Sequence, residues 1–225
     1  MKGCLIVLGG DIQDTALFQR RLSEAELVLA ADSGARHLLR LGFMPGQIFG
    51  DLDSLTADEI RACKDGGCQF VTSPAEKNDT DGVIVLREAL NRGYKDIRIW
   101  GALGGRPDHS YANIVLLQLV YLPAFYDVFG SGEEALPAIT IEDGGMRIFI
   151  PKKKQWIEGE IGDYLSFFAL TQEVTGFTQV GLKYQPAGGR FISGFPLGIS
   201  NEFMQGKACI DWEDGILLCM HIQSK

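Results

Sequence analysis

The first half of the chain alternates short apolar runs with stretches of helical periodicity. "CLIVLGG" (4–10) reads as a strand, "DTALFQRRLSEA" (14–25) as a helix and "LVLAAD" (27–32) as the next strand. "ARHLLRLG" (35–42) is helical and "QIFGD" (47–51) extended. A helix near "TADEIRACK" (56–64), a strand at "CQFVT" (68–72) and a helix at "TDGVIVLREALNRG" (80–93) follow. A strand at "DIRIWGA" (96–102) then leads into a long helix over "HSYANIVLLQLVYL" (109–122). Repeated βα units of this kind predict a mostly parallel sheet covered by helices on both faces.

Beyond about residue 132 the pattern changes. "AITIEDGGMRIFI" (138–150), "DYLSFFAL" (163–170), "TQVGLKY" (178–184), "GRFIS" (189–193) and "GILLCMHIQ" (215–223) are short β-rich runs separated by Gly, Asp and Pro. An all-β domain is expected here, a sandwich. "FGSGEEALP" (129–137) has the small and charged residues of a linker. The expected division is therefore an α/β domain over 1–132 and a β-sandwich over 133–225.

Composition narrows the class of partner. The formal net charge of −8 disfavours nucleic acid and anionic membrane surfaces, which need clustered Lys and Arg, and Lys152 to Lys154 form the one short basic run. No apolar run approaches the roughly 20 residues that cross a bilayer, and no signal-length segment opens the chain. Cys4, Cys63, Cys68, Cys209 and Cys219 are odd in number and form no Cys-x-x-Cys pair, which suits free thiols in a reducing, cytoplasmic compartment. The three histidines show no zinc-ligand spacing.

Ligands of an open parallel sheet bind beyond the carboxyl ends of its strands. The segments that follow the predicted strands are "DSGAR", "DLDS", "KNDTDG" and "GALGGRPDH", all rich in Asp or Gly. Asp51 and Asp53 are open to a plain reading, a turn in which Asp bonds its own backbone and Ser54 caps the next helix. Asp79, Thr80 and Asp81 equally suit the first turn of a helix. The alternative is that Asp51, Asp53 and Asp81 converge. Three carboxylates that repel one another point to a hard divalent cation, magnesium, whose remaining positions go to water and substrate phosphates. In "GALGGRPDH" three glycines let backbone N–H groups approach oxygens, Arg106 can fork onto phosphate, and a helix starting near Pro107 and Asp108 favours an anion. "VLGGD" (7–11) is a second glycine turn of the same type. Neither is a Walker or G-x-G-x-x-G pattern.

At these residues the chain resembles the thiamin pyrophosphokinase family, through "ADSGARHLLRLGFMPGQIFGDLDSL", "KNDTDG", "GALGGRPDHSYANI" and "GFPLGISNEF" in that order. The resemblance implies transfer of pyrophosphate from ATP to the hydroxyl of thiamin, giving thiamin diphosphate and AMP. It implies an α/β domain for nucleotide and magnesium, a β-sandwich that helps hold thiamin, and a homodimer with composite sites. Carried over by position, it makes Asp51, Asp53 and Asp81 the metal-facing carboxylates. It puts Asp32, Lys77, Thr80 and Arg106 near nucleotide and phosphates, and Asp108, His109, Ser200 and Asn201 near the vitamin. The pattern departs at Ser33, where a glycine is expected. That matters if the backbone there takes φ > 0 or approaches a ligand.

Two rival readings stay open on the residues alone. A metal-dependent nucleotide-sugar transferase also holds metal and diphosphate with Asp-x-Asp. A non-catalytic nucleotide sensor is the other, although clustered carboxylates are costly in a site that uses no metal.

Overall fold

The computed structural model describes residues 3–71, 79–122 and 136–224. They form two compact units, one of residues up to 122 together with 136–144, the other of 145–224. The boundary expected at 132–133 and most of the expected linker lie outside the described residues.

The first unit alternates strand and helix: β1 (Cys4–Val7), α1 (Thr15–Glu24), β2 (Leu27–Ala31), α2 (Gly34–Arg40), β3 (Gln47–Phe49) and α3 (Ala57–Asp65). It continues with β4 (Gln69–Val71), α4 (Asp81–Asn91), β5 (Asp96–Trp100), α5 (Pro107–Val115) and β6 (Ala138–Asp143). All neighbouring pairs are parallel, in the order β6-β5-β1-β2-β3-β4. Both faces of this sheet are covered, which is why its strands read as unbroken apolar runs. On one face Leu5, Val7, Val28, Ala30 and Ile48 pack against Phe18 and Leu22 of α1 and Ala35 and Leu38 of α2. On the other, α4 lies against β1, β2 and β3 and buries Val85, Leu86, Ala89 and Leu90. Each buried Leu, Val, Ile or Phe among them contributes about 1.5–3 kcal/mol of transfer free energy.

One expectation is corrected here. The long helix expected over 109–122 is α-helical only to Val115, and from Leu116 to Tyr121 it tightens to a 3₁₀ helix. The β-rich run "AITIEDGGMRIFI" turns at Gly144 and Gly145, both at positive φ, and its first half pairs in the parallel sheet.

The second unit is all β. Strands β7 (Met146–Phe149), β8 (Gln155–Glu158), β9 (Tyr164–Ala169), β10 (Glu173–Val174) and β11 (Thr178–Val180) are followed by β12 (Phe191–Ile192), β13 (Gly198–Glu202), β14 (Lys207–Asp211) and β15 (Leu217–Ile222). Two antiparallel sheets, β13-β9-β15-β7 and β11-β14-β8, enclose Ile157, Leu165, Phe167, Phe203, Ile210 and Leu217 between them. Phe167, Phe177 and Phe191 meet with ring centroids 4.9–5.8 Å apart. This is the expected sandwich.

Candidate active site

The carboxyl ends of the parallel strands open on one edge of the sheet. The chain runs outward from β1 to β4 and then returns to β5, so the order reverses between β1 and β5, the position where such sheets bind ligands.

The acidic part of this edge begins with Asp32, directly after β2. Its N–H extends the ladder to the Phe49 carbonyl at 2.8 Å, and its backbone takes a left-handed φ of 43°. A β-carbon on Gly50 would come within 1.7 Å of Asp32 Oδ1, so only glycine allows the carboxylate to lie there. Leu52 is left-handed too, at φ 66°, and its N–H donates to the Asp32 carboxylate. Holding an aliphatic residue in that region costs on the order of 1 kcal/mol. Arg36 of α2 braces the loop: its Nη2 donates to the Ser54 carbonyl at 2.6 Å and its Nε to Glu59 Oε1 at 2.8 Å. That contact, with help from the Thr56 backbone N–H, pulls the Glu59 pKa down to about 2. The helix cap is Thr56, in a reciprocal box with Glu59, and not Ser54 as expected.

Asp32, Asp51, Asp53 and Asp81 lie near enough at this edge for their charges to act on one another. Burial first, then a proton-sharing contact with Asp81 and the charges of Asp81 and Asp51, push the Asp32 pKa up to about 7. Asp53, fully exposed, is also raised, mainly by the charge of Asp51 and a contact with it. The turn reading holds for one oxygen of Asp51, whose Oδ1 accepts the Asp53 N–H at 3.1 Å. Capping holds for Thr80, whose Oγ1 accepts the Val83 N–H at 3.3 Å, while Asp81 opens α4 and joins the cluster. Asp79 pairs instead with Arg87 at 2.8 Å. Lys77 lies outside the described residues. No group of three or more His, Cys, Asp or Glu among the described residues forms a ready-made metal cage. The donor chemistry nonetheless fits a hard cation, because burial and then Asp81 raise the proton affinity of Asp32, the charge of Asp51 raises that of Asp53, and Asp32 Oδ1 is buried without a partner among the described residues.

The two glycine turns differ in role. In the first, Gly10 N–H donates to the Gly101 carbonyl at 2.7 Å and Asp11 N–H to the Leu103 carbonyl at 2.7 Å. A β-carbon on Gly10 would come 2.2 Å from the Leu103 oxygen. This turn is thus a support for the second loop. Asn113 of α5 donates to the Ala102 carbonyl at 2.8 Å, so three successive carbonyls of the second loop are engaged by donors behind it. That loop ends at Arg106 and Pro107, the latter in the first turn of α5. Arg106 and Asp108, both exposed, form a two-point ion pair with Nη2–Oδ2 at 2.5 Å, and Arg106 holds the Asp108 pKa down. His109 is exposed on the same turn. Ser33, the one departure from the family pattern, has an ordinary helical φ of −61°. The left-handed residue is its neighbour Asp32, so serine is unstrained here.

In the second unit, Ser200 is exposed at φ 57° in a bulge of β13, its N–H donating to Ser166 Oγ at 3.0 Å. Asn201 is buried, and its amide bonds through both the oxygen and the nitrogen. Oδ1 accepts the Tyr184 and Glu202 N–H groups at 2.9 and 3.1 Å, and Nδ2 donates to the Tyr184 carbonyl at 2.7 Å.

Comparison with known proteins matches the two halves of the chain to two domains of one family. The family model described as the thiamin pyrophosphokinase catalytic domain matches residues 18–124, and that of the vitamin B1 binding domain matches 146–217. A thiamine pyrophosphokinase of Bacillus subtilis (strain 168) is 30% identical over 220 residues, 97% of each chain. Among solved structures, a thiamine pyrophosphokinase from Bacillus subtilis is 27% identical with a TM-score of 0.81, covering 100% of both chains. One from Geobacillus thermodenitrificans is 26% identical with a TM-score of 0.78, covering 99% of this chain and 98% of that one. With both family models matched in order and a relative aligned almost end to end, the chain belongs to the thiamin pyrophosphokinase family.

Proposed function

We propose that the protein transfers the terminal pyrophosphate of ATP to the hydroxyl of thiamin, releasing AMP and thiamin diphosphate. The observation that carries this reading is the pairing, at one sheet edge, of a repelling carboxylate cluster with a glycine-rich loop at a helix N-terminus. Family membership favours neither the sugar-transferase nor the sensor alternative.

Asp51, Asp53 and Asp81 would hold magnesium, and Asp32 would complete their charge. Bound magnesium supplies neutralisation of the phosphate oxygens, which is most of what phosphoryl transfer requires. The thiamin hydroxyl oxygen attacks the β-phosphorus as the bond from that phosphorus to the α,β-bridging oxygen breaks, and AMP leaves with the bridging oxygen. Arg106 exchanges its Asp108 partner for phosphate, and Lys77 and backbone N–H groups meet the charge that builds on the transferred group. The hydroxyl proton passes to a carboxylate of the site, Asp81 or Asp108.

The second unit is proposed to bind thiamin, with Ser200 near the vitamin and Asn201 shaping the strand beneath it. Asp108 and His109 approach the vitamin from the first unit, and Thr80 keeps α4 aimed at the nucleotide. The protein is proposed to work as a cytoplasmic homodimer with composite sites; its five cysteines are free, which suits a reducing compartment. No helix among the described residues is long and apolar enough to cross a membrane.

The test is incubation with ATP, magnesium and thiamin, followed by assays for AMP and thiamin diphosphate. Stoichiometric release of both, dependent on thiamin, is expected. AMP formed without thiamin, or ADP in its place, refutes the assignment.

A further inference from the structure

We infer that His37 is a positioning residue for the phosphate loop, acting through the Gly10 carbonyl on the peptide that holds Leu103. His37 stands on α2, 27 residues away in sequence, and its Nε2 lies 2.7 Å from the Gly10 oxygen. A carbonyl only accepts, so Nε2 carries the proton and donates. The peptide joining Gly10 to Asp11 is therefore held from both sides. Its C=O accepts from His37, and its N–H donates to the Leu103 carbonyl at 2.7 Å. In a trans peptide these two groups point in opposite directions, so the two bonds together fix the rotation of the plane. Gly10 has no side chain to do this, and none would fit beside the Leu103 oxygen. Leu103 is followed by Gly104, Gly105 and Arg106, so the plane that His37 fixes sets the path of the segment proposed to meet the phosphates. The side chain is half-buried and touches neither Arg106 nor the carboxylates in any hydrogen bond found among the described residues, and its role is to aim the loop.

The inference rests on the proposed phosphate role of that loop, and the experiment separates the two. Affinity for a nonhydrolysable ATP analogue with magnesium, and KM values for ATP and thiamin, are measured for the wild type, His37→Met and His37→Gln. Methionine fills the volume without a donor, and glutamine restores an N–H at similar reach. His37→Met is expected to weaken analogue binding and raise the ATP KM roughly three- to tenfold, the equivalent of one neutral hydrogen bond, with the thiamin KM unchanged. His37→Gln should return to within about twofold of wild type on the same scale. A wild-type ATP KM in His37→Met overturns the inference. So does a loss confined to kcat and melting temperature, which marks a structural role only, or a glutamine variant no better than methionine. If His37→Met does not fold, His37→Asn, whose amide is too short to reach, takes its place against His37→Gln. A wild-type protein that binds the analogue but releases no AMP with thiamin refutes the proposed reaction and leaves the His37 comparison to be read from binding.

Discussion

Replacing Asp32 with asparagine should stabilise the metal-free protein at neutral and alkaline pH while weakening its use of magnesium. Asp32 has its pKa pushed up from 3.8 to about 7, by burial first and then by Asp81. A carboxyl whose folded pKa lies above its unfolded value opposes folding once ionised. The penalty is absent below about pH 4, grows between about pH 4 and 7 as the unfolded chain ionises first, and is constant above about 7. A shift of about three units corresponds to on the order of 4 kcal/mol as a ceiling. Because the proton is shared with Asp81 and that partner remains in the variant, roughly half, about 2 kcal/mol, is the expected gain. Urea unfolding in EDTA across this pH range is the assay. The two proteins should have matching midpoints near pH 4, and the variant should be the more stable by a margin that opens toward pH 7 and then stays level. Adding magnesium should raise the wild-type midpoint at pH 8 more than that of the variant. A variant less stable than wild type at pH 8, or a difference that does not depend on pH, refutes the reasoning.

Arg106→Lys keeps the charge but loses the planar fork, and steady-state turnover should fall roughly ten- to a hundredfold, about 1.4–3 kcal/mol of transition-state stabilisation; equal rates would leave Arg106 a surface charge. Asn201→Ala removes the acceptor of the Tyr184 N–H and the nearer of the two donors to its carbonyl, leaving Gln179 Nε2 at 3.4 Å, and should cost about 1–3 kcal/mol in chemical denaturation, independent of any ligand; an unchanged midpoint would refute its role as a clamp. If the active sites are composite across a dimer, Asp51→Asn and Ser200→Arg chains, each inactive alone, should recover about a quarter of the wild-type sites when mixed and refolded together. Heterodimers with no recovered activity refute that arrangement.

The parallel half was legible because strands buried on both faces give continuous apolar runs, as in "LVLAA", and the helices between them keep their periodicity. The sandwich was legible as a class but not strand by strand. β14 and β8 bury only alternate residues, and β13 buries little besides Asn201, so "GISNE" reads as a polar turn. The 3₁₀ ending after Val115 left no trace in an apolar run that suits either helix. At the site, the position of each Asp after a strand was legible from the sheet rule. The coupling of Asp32 to Asp81 was not, since it depends on Gly50 leaving room for a carboxylate, and neither were the braces at Arg36 and His37. A charged or aromatic residue in the middle of a helix gives no local sign of which carbonyl it will meet.

The two glycine turns show why motif and role separate. "VLGGD" and "GALGG" suggest the same phosphate chemistry, yet each backbone N–H and C=O has to be accounted for once. Gly10 and Asp11 spend their N–H groups on Gly101 and Leu103, so those donors are closed to an anion. The same bonds, with the one from Asn113, tie down the carbonyls of Gly101, Ala102 and Leu103, the groups that would otherwise repel a phosphate. Ser110 extends this: its backbone N–H donates to the Arg106 carbonyl at 3.1 Å, which leaves its one hydroxyl proton for the Gly104 carbonyl at 3.4 Å. Once its oxygens are held by the scaffold behind it, the second loop offers an incoming anion mainly N–H groups and the guanidinium of Arg106. The first turn contributes to nucleotide binding by making the second one electropositive, and a substitution such as Gly10→Ala would therefore damage ATP affinity without removing a single ligand contact.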